Sequence, residues 1–231
     1  MMAAPCLIVI SLTASSSIHH LLTTTRTARA QRTAGPLQLC DQLPAPPSDI
    51  LEEEAIKLTL KWLDNFIIRH QLCPFAAPVR RHTRTVVCMG MDDGAAATLL
   101  RQECTALRAI DSTTLATTLV VLPRIGDFED LMDLQVRAEA MANEDEAASA
   151  VQFLAFHPQA EFGERDAADF SMRSPLPMLH LLRDDDVVAA EEEWEQQHAP
   201  GPAPGIQERN AALLRGMGYT AVAELVSKSL S

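Results

Sequence analysis

Apolar residues recur at helical spacing at Ile56, Leu60, Leu63 and Ile67, which predicts an amphipathic helix. Asp49 with Glu52 reads as its cap, and the break at Cys73–Pro74–Phe75 ends it. The period then changes. Short β-branched runs at 84–89 (RTVVCM), 116–123 (ATTLVVLP) and 150–158 (AVQFLAFHP) predict three strands. Between them, AAATLLRQECTALRAI and DFEDLMDLQVRAEAMANE read as amphipathic helices. A polar loop follows the third strand. Pro177 then suits the first turn of a short helix through MLHLLR, because its missing N–H has no helical partner there. An acidic helix VVAAEEEWEQQH, a breaker APGPAPG and a last helix IQERNAALLRGMG complete the pattern.

Strands alternating with helices predict an α/β or α+β fold, a small central sheet of three to four strands packed with five to six helices. Three strands make a thin sheet, so a fourth strand or an open mixed arrangement is expected. Residues 50–231 read as a single globular domain behind a proline-rich linker at 41–49, and no repeat is visible.

Charge changes the picture at the N-terminus. The first forty residues hold three arginines, ten Ser or Thr and no acid, leaving 16 basic against 31 acidic residues in the remainder. A Ser/Thr-rich, arginine-bearing, acid-free opening reads as a disordered transit-like leader over 1–40. It predicts an organellar protein, with a plastid favoured over a mitochondrion. The formal net charge of −12 argues against nucleic acid or an anionic membrane surface as partner. No apolar run is long enough to span a bilayer. The five cysteines form no C-x-x-C pair or disulfide framework, which fits a reduced compartment.

Three points carry candidate chemistry. At about 100° per residue, a helix through 177–184 places Met178, Leu181 and Leu182 on one side and His180, Arg183 and Asp184 on the other. His180 then faces solvent or a polar cleft. His157 closes a strand whose face it shares with Val151, Phe153 and Ala155, at the end where open sheets bind ligands. Cys73 follows the first helix amid Arg69, Arg80, Arg81, His82 and Arg84, a basic cluster suited to a small anion. Each has a plainer reading: a surface ion pair for His180, a backbone-bonded ring for His157, a core thiol for Cys73. No spacing specifies a metal, and only folding could bring Cys73, His157 and His180 together as ligands. The common nucleotide and hydrolase signatures are absent, so the sequence names no cofactor.

LCPFA (72–76), LVVLP (119–123), FLAFHP (153–158) and RSPLPMLHLLR (173–183), with ERN (208–210), together resemble the domain-of-unknown-function family 1415. The resemblance covers roughly residues 50–220 and implies no established activity. It also implies an asparagine before the arginine of RSP, where this chain has Met172. Two functions fit these observations. One is a small-molecule enzyme on an anionic substrate, with Cys73 as nucleophile or redox thiol and His157 and His180 as acid and base. Arg173, Arg183, Ser174 and Arg80 would then bind the substrate. The other is a non-catalytic module for a metabolite or a protein, in which the CPF, FHP and RSPLPMLH motifs are structural. Whether Cys73, His157, Arg173 and His180 line one pocket decides between them.

Overall fold

In the computed structural model, residues 50–90, 93–146, 148–201 and 205–230 are described. The leader and linker expectations, and the Asp49 cap, lie outside them. Seven α-helices and four strands are present among the described residues. Helix α1 (Glu52–Trp62) runs into a π-helical stretch, Leu63–Ile68. Its N-cap is Leu51, without a side-chain cap bond. After the Cys73 turn come α2 (Ala76–Val79), β1 (Thr83–Val87), α3 (Asp93–Arg108) and β2 (Thr117–Val121). Then follow α4 (Phe128–Glu144), β3 (Val151–Phe156), a 3-10 turn (Ala167–Ser171) and β4 (Met178–Arg183). Three helices end the chain: α5 (Asp184–His198), α6 (Ile206–Met217) and α7 (Tyr219–Ser229). Asp127 caps α4 by accepting from the Asp130 N–H at 2.9 Å. Gly218, with φ of 83°, makes the turn between α6 and α7 that a side chain would strain.

The expected helix at MLHLLR is instead the fourth strand. Sheet order is β1-β2-β4-β3, with β1 parallel to β2 and β4 antiparallel to both β2 and β3. β4 is thus interior to the sheet, fully buried on the α3/α4 face and partly covered on the other. That explains its near-continuous apolar sequence, since a strand with apolar neighbours on both faces shows no clean alternation. Proline at position 177 suits the residue before a strand as well as the start of a helix, because its missing N–H breaks no ladder there. Its carbonyl accepts from the Leu122 N–H at 2.8 Å.

The side-chain assignment changes with the period. In a strand, residues two apart share a face. Leu179 and Leu181 join Phe153, Leu131 and Leu100 in the core under α3 and α4. Met178 faces the second core, with Phe66, Trp62, Phe170 and Leu176, under α1, α6 and α7. His180 and Arg183, expected on one side of a helix, therefore lie on opposite faces of the sheet.

Candidate ligand cavity

On the α1 side the sheet is incompletely covered. Gln152, Leu154 and Phe156 of β3 and His180 and Leu182 of β4 are only partly buried, although β4 is interior. They form the floor of a cavity of about 250 Å³. Its walls come from Leu63 and Ile67 of the π-helical stretch, the Cys73–Phe75 turn, Val187 and Ala190 of α5, and Ile206 and Asn210 of α6. Apolar side chains dominate the lining, as in most small-molecule sites. π-Helical backbone is rare and concentrates at functional sites.

His180 is the polar exception on the floor. In the ladder it lies directly between Leu119 and Leu154. Its Nε2 meets the Thr117 hydroxyl at 2.5 Å, and that hydroxyl donates to the Leu181 carbonyl at 2.8 Å. Burial lowers the imidazole pKa to about 4, so the ring is neutral at pH 7. The accessible surface it keeps belongs to a cavity-lining side chain, so partial exposure and strong desolvation coexist.

Cys73 lines the same cavity. Burial pushes its thiol pKa up, against smaller opposing effects from the Phe75 and Ala76 N–H groups and the Arg209 charge. The thiol is therefore the resting form. The turn that presents it is held from α6. Gln71 adopts φ of 53°, uncommon for a residue with a side chain. Arg209 donates to the Gln71 carbonyl, and Asn210 donates to the Leu72 carbonyl at 2.7 Å. Trp194 of α5 packs edge-on to Phe75, ring centroids 6.5 Å apart, and under the Arg209 guanidinium at 5.3 Å, seating α5 over this turn.

The other expected site residues are elsewhere. His157 is buried on the opposite face, its Nδ1 accepting from the Gln159 N–H at 3.1 Å and its Nε2 without a partner among the described residues. Burial lowers its pKa to about 4 despite the Asp127 charge. Arg173 is buried, donating to the Ala160 carbonyl and the Tyr219 hydroxyl, each at 2.9 Å, over the Phe170 ring. Ser174 is fully buried and donates to the Leu176 carbonyl at 2.6 Å. Arg80 forms a two-pronged pair with Asp64 at 2.5 and 2.9 Å on the surface. Arg183 is bonded through all three of its nitrogens. It donates to Asp186 at 2.7 and 3.0 Å and to the carbonyls of Ile110, Asp111 and Thr114. These contacts use its five N–H donors. Of Cys73, His157, Arg173 and His180, the cavity brings together Cys73 and His180. Among the described residues no Arg or Lys lines it, and its carboxylate, Asp186, is paired with Arg183. Among the described residues no group of three His, Cys, Asp or Glu side chains is arranged to hold a metal ion.

A family profile matches residues 54–224, a span that contains every residue lining the cavity. The chain belongs to the DUF1415 family. That family is described as a protein of unknown function. No curated protein and no solved structure matches the chain. The five segments that carry the resemblance all contribute to one cavity: LCPFA its thiol turn, LVVLP through Leu119, FLAFHP and RSPLPMLHLLR its floor, and ERN its clamp through Arg209 and Asn210. Met172, where the resemblance implied an asparagine, also lies in the lining. Thr117, which no sequence signal marked, is the direct partner of His180.

Proposed function

We propose that this DUF1415 protein binds a small, largely apolar, uncharged molecule in the cavity over β2, β3 and β4. The observation that carries this reading is the lining: a neutral imidazole and a protonated thiol in apolar walls, with no Arg or Lys among the described residues. An anionic substrate would leave water for a lining that presents no Arg or Lys among the described residues, while the neighbouring Arg209 is engaged with the Gln71 and Leu72 carbonyls, so its desolvation cost is poorly offset. An apolar cavity of about 150 Å³ holds benzene. The volume of about 250 Å³ here suits a molecule of one or two rings.

Filling the cavity tests this. Ala190 lines it and is only partly buried, so Ala190→Trp should occupy space without breaking the core. Calorimetric titration with indole and naphthalene should show binding to the parent protein and at least a roughly tenfold weaker Kd in Ala190→Trp. Far-ultraviolet circular dichroism should be unchanged. Absence of binding by both compounds, or equal binding by the variant, would sink the reading.

Thiol catalysis draws on one observation, that Cys73 and His180 line the same cavity. The raised thiol pKa runs against it, because the thiolate is the nucleophile. Iodoacetamide at pH 7 is expected to label Cys73 no faster than free cysteine. Labelling well above that rate, abolished in Cys73→Ser, would favour the nucleophile.

A further inference from the structure

Thr117 determines where the His180 imidazole carries its proton. The Thr117 Oγ1 and the Leu181 carbonyl oxygen are 2.8 Å apart. Two oxygens so close need a hydrogen between them, and only the hydroxyl has one. With that hydrogen committed, Oγ1 can only accept from a second partner. His180 Nε2 is that partner, so Nε2 bears the proton and donates to Thr117. The neutral ring then keeps a lone pair on Nδ1, which has no partner among the described residues and is not among their fully buried unpartnered atoms, so it stays accessible to a ligand. His180 lies on the cavity floor, flanked by Leu119 and Leu154, where the imidazole interrupts an otherwise apolar row.

We infer that the ligand of this cavity carries a hydrogen-bond donor, an alcohol, phenol or ring N–H, on an apolar body, and that His180 Nδ1 accepts it. This rests on the binding reading above and narrows its chemistry. Ethers, ketones and carboxylates offer only acceptors, which would face the Nδ1 lone pair. A buried acceptor left unpaired is costly, which is how a site built for a donor rejects an isostere lacking one. Thr117 acts as a positioning residue, since it works through His180.

Indole and benzofuran provide the test, having the same shape and differing in N–H against O. In calorimetric titration indole should bind the parent protein about tenfold more tightly than benzofuran. Thr117→Val removes the acceptor for Nε2–H and lets the proton move to Nδ1, so the preference should shrink or disappear. Nitrogen-15 spectra of the ligand-free parent protein should show Nε2 of His180 protonated and Nδ1 not. These spectra need no variant and no ligand. Equal affinities for the two compounds, or a protonated Nδ1 in the parent protein at pH 7, would overturn the donor inference while leaving the binding reading standing. Failure of both compounds to bind would overturn the two together.

Discussion

Arg183→Met is expected to destabilise the protein by about 3–5 kcal/mol, the range seen when one partner of a buried ion pair is removed. Arg183 and Asp186 are each about nine-tenths buried as side chains. The substitution leaves the Asp186 carboxylate uncompensated beside an apolar cavity. It also strips donors from the carbonyls of Ile110, Asp111 and Thr114, which belong to the connection between α3 and β2. Arg183 thus ties that connection to the start of α5, and methionine keeps only the volume of its stem. Urea unfolding at pH 7 should show a lower midpoint with little change in slope. Arg183→Lys should fall between the two, because an ammonium keeps the charge but lacks the planar fork. Arg183→Met/Asp186→Leu should recover part of the loss by removing the stranded carboxylate. A loss under about 1 kcal/mol in Arg183→Met would mean that the fork is dispensable.

Acid should weaken the fold well before its surface carboxylates titrate. His157 and His180 both have pKa values lowered to about 4 by burial, against 6.5 in an unfolded chain. As pH falls below 6.5 the unfolded state takes up protons that the folded state refuses. Stability is therefore intact above pH 6.5 and lost as pH falls towards 4. Each histidine accounts for about 3 kcal/mol at most, at about 1.4 kcal/mol per pKa unit. Asp169 works in the opposite direction. Burial pushes its carboxyl up to about 6, against Arg173, with the charges of Asp166 and Glu161 adding to the rise. Folding therefore favours its protonation between pH 6 and 3.8, returning about 3 kcal/mol over that window. The net expectation is a loss on the order of 3 kcal/mol between pH 6.5 and 4, read as a fall in urea midpoint. Asp169→Asn should steepen the fall and His157→Gln should flatten it. Stability that is level or rising over this interval would contradict the assignment of both rings as buried and neutral.

Much of the frame was legible because its signals are local. The runs TRTVV, TTLVV and VQFLAF are β-branched or alternate, and each became a strand within a residue or two of its expected bounds. MLHLLR was not legible as β4. Its two paired strands lie about 60 and about 30 residues before it, and an interior strand with apolar neighbours on both faces shows little alternation. Reading it as a helix had a direct effect on the site, because three residues of separation keeps His180 and Arg183 together on a helix and parts them on a strand. The other distances between sequence and structure share that origin. Arg173 and Ser174 looked like anchors in isolation, yet their partners are the carbonyls of Ala160 and Leu176 and the Tyr219 hydroxyl, which the chain itself supplies. Cys73 and His180 meet through packing of a turn against a sheet, and Thr117 reaches His180 through strand register. Neither relation leaves a mark in the spacing of residues.

The insertion of β4 between β2 and β3 bears on how the chain is made. Until residue 183 has been synthesised, β2 lacks its partner on one side and β3 has none from the sheet. A nascent chain in that condition carries open ladder edges, the kind of surface that recruits neighbouring chains. When β4 enters, it closes both ladders and lays down His180 and Leu182 in the same event. The cavity floor thus arrives with the last strand and its α5 and α6 walls only afterwards, so a ligand present during synthesis would favour the finished domain alone, by mass action on the completed state.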